Sequence, residues 1–262
     1  MKSIIIKRAR EAIRKPWEGN IPKVIHQTDR FPYGLTTFRS IATFKLRNFN
    51  YTHLFWKDND INIFIQLFFP SYIDTFNEIS RFIIKLDLFR YMLLYIFGGT
   101  YSDTDTYCLK PISTWTRNHR FSTKMIIGIE ADQPGNINRR WARNFQFAQW
   151  TISVTPGFHV MYDIIKACQD KIKNHQGTIS DNDVMELTGP GIFTDIIMRY
   201  INNKDCDRDD LRQLTTMKLV GDLLILLVTG FQAVDQPQFG SKPEKHPDSF
   251  VRHRFRGSWH RG

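Results

Sequence analysis

Asp103-Thr104-Asp105 sets two carboxylates one residue apart, directly after Thr100-Tyr101-Ser102. If that tripeptide is a short strand, its period of two gives the carboxylates a shared orientation, a clamp of hard oxygens for a divalent cation. Such a pair holds Mg²⁺ or Mn²⁺ with coordination sites left open. A diphosphate entering those sites would have the charge of its departure neutralised, which is the chemistry of transfer from a nucleotide diphosphate. An isolated Asp-x-Asp has another explanation, a solvated turn. Asp87 and Arg90, three residues apart, adjoin on one face of any helix that carries them. There they would either grip a ligand together or form a plain i,i+3 ion pair.

The elements around these residues must deliver them to one place. Phe82, Ile83, Leu86, Phe89, Leu93 and Ile96 recur at three- and four-residue spacing, predicting a helix from Ile79 to Phe97. Gly98 supplies a left-handed C-cap and Gly98-Gly99 the turn into the strand. Upstream, strands are expected over Ile21–Thr28 and Tyr51–Trp56, with helices over Thr36–Asn48 and from Asp58-Asn59-Asp60 through Phe69. Downstream, Met125–Ile129 reads as a strand leading into an acidic turn, Glu130-Ala131-Asp132, and Phe147–Ile152 as a strand or strand-like edge. His159–Lys173 is an amphipathic helix, Thr188-Gly189-Pro190-Gly191 a turn opening a helix over Ile192–Ile201, and Leu223–Val228 a late strand. Backbone N–H groups at that Gly-Pro-Gly turn would meet an anionic or hydroxyl-bearing ligand.

Composition limits the classes. The chain of 262 residues is 42% hydrophobic and 14% aromatic, with 21 Phe, enough for one large α/β domain with a buried core. Its net charge of +10 invites a nucleic-acid or membrane reading. Residues 1–20 and 239–262 each carry six basic and two acidic side chains, so the ends hold +8 of the +10. The middle is nearly balanced and has no nucleic-acid motif, whereas basic ends suit anionic membrane surfaces or anionic substrates. Three cysteines, Cys108, Cys168 and Cys206, without C-x-x-C spacing signal neither a disulfide framework nor a zinc site. No apolar run is long enough for a signal-peptide core or a membrane span, so the chain reads as soluble as written.

The pattern D-L-x-R-Y-x-x-L-Y over 87–95, followed by G-G-x-Y-x-D-T-D over 98–105, resembles the DXD-containing sugar-binding region of glycosyltransferase family 32. The resemblance extends to Ile21–Thr28, to Gln149-Trp150-Thr151-Ile152, to Thr188-Gly189-Pro190-Gly191, and to His253 followed by Gly257-Ser258-Trp259. Within the family it is nearest to the fungal initiation-specific alpha-1,6-mannosyltransferases, over roughly Ile21 to Trp259. It implies a single nucleotide-sugar-binding domain of GT-A type over 21–262, behind a basic arm over 1–20, with a mixed, mostly parallel sheet flanked by helices. It also implies a retaining transferase that moves a hexose, mannose from GDP-mannose before a UDP-hexose, onto a glycan or glycolipid hydroxyl.

Carried over residue by residue, the resemblance implies Asp103 and Asp105 as ligands of Mn²⁺ or Mg²⁺, with His253 as a third. It places Asp87, Arg90 and Asp103 on the sugar or ribose, His26 and Thr28 near the nucleotide, and Gln149, Trp150, Gly189 and Trp259 along the substrate. Ordinary core or cap roles are the alternatives for His26, Thr28, Trp150 and Gly189, and a solvent-exposed histidine on a basic tail is the alternative for His253. Fungal members of the family are usually anchored in the Golgi membrane, so a Golgi lumen location is expected if an anchor was removed, and a cytoplasmic one otherwise. A metal-dependent phosphohydrolase using the same carboxylates, and a polyanion-binding protein using the basic ends, are the expectations from other classes.

Overall fold

The computed structural model describes residues 4–13, 21–29, 34–116, 122–133, 141–232, 234 and 240–257. Its strands in chain order are β1 (Val24–Thr28), β2 (Thr52–Trp56), β3 (Gly99–Ser102), β4 (Thr106–Cys108), β5 (Met125–Asp132), β6 (Phe145–Phe147), β7 (Thr151–Val154), β8 (Lys218–Val220), β9 (Leu223–Leu226) and β10 (Val251–His253). The α-helices are α1 (Ile4–Ile13), α2 (Leu35–Arg47), α3 (Asp58–Phe68), α4 (Ile73–Glu78), α5 (Phe82–Phe97), α6 (His159–Asn174), α7 (Asp181–Leu187), α8 (Pro190–Asn202) and α9 (Val228–Phe231).

Eight strands form one mixed sheet in the order β2-β1-β3-β7-β5-β9-β8, with β6 paired to β5. Strands β1, β2, β3, β5 and β9 run one way, and β6, β7 and β8 run against them, as their pairings require. Alternation of side chains along the strands divides the core in two. Val24, Met125, Ile127 and Ile225 join the larger cluster with α5, α6 and α8, whereas Ile25, Ile126, Leu224 and Leu226 join Phe44, Trp115 and Phe231 on the other face. The sheet is thus a layer between helices, the α/β arrangement expected.

Several expected boundaries move. The helix begins at Phe82 rather than Ile79, because Ile79 and Arg81 take extended backbone and separate α4 from α5. Gly98 has φ +60 but ψ −156, so it is not a left-handed cap; it occupies a region open to glycine, and a Cβ there would lie 2.6 Å from the nitrogen of Pro156. Glu130-Ala131-Asp132 is strand rather than a solvated turn: Glu130 is buried and accepts from Gln146, and Asp132 pairs with Arg212. The segment expected as a strand-like edge is divided between β6 and β7, and β7 lies inside the sheet between β3 and β5. Leu223–Val228 ends as a strand at Leu226, and Val228 opens α9. Within the expected basic arm, α1 buries Ile6 and Ala9 in the larger cluster. All three cysteines are free and buried.

Candidate active site at the end of β3

Helix α5 carries Asp87 and Arg90 into the interior, where they are 1% and 3% exposed. Ions so deeply placed need partners, and each has them. Arg90 reaches Asp87 Oδ1 at 2.8 Å and Asp103 Oδ1 at 3.4 Å, donates to the Gln149 carbonyl at 3.1 Å, and lies over the Tyr101 ring at 4.9 Å. Asp87 Oδ2 accepts from the Thr188 hydroxyl at 3.1 Å. Burial pushes Asp87 up to about 6, against the pull of Arg90. For Arg90, burial opposes the charge, but Asp103, Tyr101 and Asp87 outweigh it and keep the guanidinium protonated.

Strand β3 ends at Ser102, and the three residues of the DXD form a turn in which the Thr106 N–H donates to the Asp103 carbonyl at 3.2 Å. The two carboxylates therefore do not share an orientation as a continued strand would give. Asp103 accepts from the Tyr101 hydroxyl at 2.8 Å and faces Arg90. Asp105 lies 3.2 Å from His253 Nε2 and accepts from the Arg256 N–H at 3.2 Å. Burial raises Asp103 despite Arg90, with Asp105 adding to the rise. Burial would raise Asp105 too, but His253 and the Arg256 N–H hold it below the ordinary carboxylate range.

His253 is brought here by register. The antiparallel pairing of β10 with β4 sets His253 opposite Thr106, next to the DXD turn. Its ring stacks on Trp150 with centroids 4.2 Å apart and planes 13° apart, and Phe255 packs edge-on against both. As alternation along an extended chain requires, Arg252 and Arg254 point elsewhere, to Glu244 and Tyr107.

Other expected residues divide. Gln149 lies at the site: its side-chain oxygen is 2.5 Å from the Tyr91 hydroxyl, whose single proton is shared between it and the Thr188 carbonyl at 2.9 Å. His26 is one strand away and fully occupied, because Nε2–H donates to the Gly98 carbonyl at 3.0 Å and Nδ1 accepts from Trp56 Nε1 at 3.1 Å. Burial lowers it to about 4, so it is a neutral connector of β1, β2 and the Gly98 turn with no ring nitrogen left for a nucleotide. Thr28 donates to the Trp56 carbonyl at 2.8 Å. The Gly189 N–H donates to the Val184 carbonyl, and a Cβ on Gly189 would lie 2.7 Å from the Met185 Cα, so this glycine serves close packing at the start of α8 with its own N–H already engaged. Trp259 lies outside the described residues.

Sequence reasoning missed Tyr91, Tyr101 and Thr188 as the partners that fix the charged groups, and it missed Asp29. Asp29 follows β1 and accepts from the hydroxyls of Thr104, inside the DXD, and Thr37, in α2. Only its place one residue beyond a strand end was visible in advance.

Arg90 Nε, Trp150 Nε1 and His253 Nδ1 are buried with no hydrogen-bond partner among the described residues. Buried polar groups are almost always satisfied, so their concentration around Asp103 and Asp105 marks a place where a polar ligand completes the structure. Two carboxylates and an imidazole suit a hard-to-borderline divalent cation. Asp105 and His253 are already in contact, whereas Asp103 is engaged by Tyr101 and Arg90, and no three such donors are gathered in advance among the described residues.

Residues 19–122 match a family model described as the glycosyltransferase sugar-binding region containing a DXD motif. Over 258 residues the chain is 34% identical to an initiation-specific alpha-1,6-mannosyltransferase of Schizosaccharomyces pombe, covering 93% of this chain and 65% of that protein. Over 251 residues it is 30% identical to a protein of the same name from Candida albicans, covering 83% and 65%. The chain thus spans just under two thirds of the length of these curated relatives. Among solved structures it is similar to a chain called PaToxG Glycosyltransferase, at 16% identity and a TM-score of 0.48, covering 77% of this chain and 79% of that one.

Proposed function

We propose, from the premise that this chain belongs to the glycosyltransferases with a DXD-containing sugar-binding region, that it moves mannose from GDP-mannose onto a glycan or glycolipid hydroxyl, in a metal-dependent reaction that retains the anomeric configuration. The observation that carries this reading is the cluster formed by the Asp87–Arg90 pair, Asp103, Asp105 and His253 at the end of β3, with orphaned polar atoms among its members. The DXD-containing region and the likeness to proteins named as mannosyltransferases support the substrate class.

Asp105 and His253, with Asp103, would hold Mn²⁺ or Mg²⁺. When bound, the cation supplies neutralisation of the charge that develops on a departing diphosphate. The chain's own residues do the rest. Arg90 is held by two carboxylates, a carbonyl and an aromatic face, so its guanidinium needs no reorganisation to orient a polar ligand. Asp87, about half ionised near pH 6, accepts hydrogen bonds from sugar hydroxyls in its charged form. Trp150 and Phe255 enclose His253 and exclude water from one side of the turn.

A nucleotide-release screen of GDP- and UDP-sugars, run with Mn²⁺ and with simple mannosides as acceptors, tests the reading. Release from GDP-mannose that needs Mn²⁺ and rises with a mannoside is expected. Release from a UDP-hexose alone would reassign the donor, and hydrolysis of phosphate esters that contain no sugar would overturn the reaction class.

A further inference from the structure

Helix α2 is amphipathic in the wrong direction for a surface helix. Thr37, Ser40, Phe44 and Asn48 face inward and are buried. Three of these four are polar, and they are used: Thr37 donates to Asp29, Ser40 accepts from Gln27, and Asn48 bonds the Phe44 carbonyl and the Ile112 N–H. The opposite face carries Leu35, Phe38 and Leu46, and Phe49 follows just past the helix end, at 65%, 66%, 78% and 90% exposure. An ordinary surface helix buries its apolar stripe and shows polar residues to water. Here the hydrogen bonds face the protein and the apolar stripe faces out.

Charge indicates what covers this stripe. At 100° per residue, Leu35, Phe38, Ala42 and Leu46 form one ridge, with Lys45 along one side and Arg39 along the other, and Arg47 farther round, where its Nε–H donates to the Leu109 carbonyl at 2.9 Å. All three basic residues are exposed, and the helix contains no Asp or Glu. Apolar and aromatic side chains along a ridge, on a helix whose charged residues are all cations, match a bilayer surface with anionic headgroups: the ridge enters the acyl boundary and Lys45 and Arg39 meet the phosphates. A protein partner of ordinary composition would call for acidic as well as basic residues at the rim.

We infer that the outer face of α2 docks on an anionic lipid bilayer, independently of the reaction assigned above. The helix is also joined to the candidate active site, because Thr37 and Thr104 share Asp29, and Arg256 donates to Thr36. A chain seated on α2 would therefore hold its DXD turn close to the membrane, where an acceptor hydroxyl borne by a lipid or by a membrane-held glycan is concentrated.

Cosedimentation of the full chain with vesicles tests this, using phosphatidylcholine alone and phosphatidylcholine mixed with phosphatidylserine. Binding to the mixed vesicles, weakened by salt, is expected. The triple variant Phe38→Ser/Leu46→Ser/Phe49→Ser and the double variant Arg39→Ala/Lys45→Ala should each weaken it about tenfold or more. All five positions are exposed, and unchanged circular dichroism and melting confirm that the variants fold. Parental affinity in the folded triple variant would overturn the inference and assign vesicle binding to the basic chain ends. A concentration-dependent dimer that the triple variant abolishes, without vesicle binding by the parent, would overturn it in favour of a second copy of this chain.

Discussion

At the scale of single residues, the chemistry depends on which carboxylates are charged and what holds them so. Asp105 is kept ionised by His253 and a backbone N–H, which suits a metal ligand. Asp105→Asn preserves size and removes the charge. Turnover at saturating donor should fall by about 100-fold or more, with the fold intact, in the range for deletion of a charge-stabilising element. Steady-state kinetics on the folded variant check this, and near-parental turnover would end the metal assignment. Asp87 titrates near pH 6 because it is buried, only partly compensated by Arg90. If its ionised form receives sugar hydroxyls, kcat/KM for the donor should rise with pH and level off above about 6. In Asp87→Asn that limb should vanish along with most of the activity. Arg90→Lys keeps the charge but loses the planar fork that reaches Asp87, Asp103 and the Gln149 carbonyl together, so it too should lower donor turnover.

At the scale of elements, the site is assembled from one continuous stretch, the buried helix α5, the turn after β3 and strand β4, completed by β10, whose His253 lies 148 residues from Asp105 in sequence and forms a ribbon with β4. The ribbon is short, three residues on each strand, and is held at the site by the Trp150–His253–Phe255 rings and by the Arg254 N–H bond to the Asp105 carbonyl. His253→Ala should loosen Mn²⁺-dependent nucleotide binding and abolish transfer, while the far-ultraviolet spectrum and the parental core are retained. Calorimetric titration with nucleotide, in the presence and absence of Mn²⁺, separates this from simple loss of packing: a merely structural His253 would lower stability but leave the Mn²⁺ dependence unchanged.

At the scale of the whole molecule, buried ionisable groups tie stability to pH. His26 falls from 6.5 to about 4 on folding, chiefly by burial. Its contribution is full above pH 6.5 and is lost on acidification toward 4, an amount of about 3 kcal/mol. His53, lowered by burial to about 3, acts in the same sense. Asp87 acts oppositely, because its raised value favours the folded state at low pH and the benefit disappears as pH rises through about 6. Urea denaturation of the parent and of Asp87→Asn at pH 7 and at pH 5 should therefore show a steeper acid loss in the variant. Equal slopes would mean that Asp87 keeps an ordinary value in the folded chain.

The sequence by itself determined the α/β layering, the DXD block, the Asp87–Arg90 adjacency and most element positions. These depend on periodicities of two and 3.6 residues and on glycines, all of which act within a few residues of each other. The break between helix and strand at Gly98 was legible, although its backbone angles, and the start of β3 already at Gly99, were not. Only the tertiary structure decided that His26 is a connector, that Gly189 serves packing, that Glu130 is buried, and that Asp103 and Asp105 turn to different partners. It alone showed that α2 wears its apolar face outward. Each of these depends on what lies across a layer, such as Trp56 over His26 or Asp29 beneath Thr37. Local pattern carries no record of such neighbours, because a side chain's partner at a separation of tens of residues is chosen by packing and not by spacing.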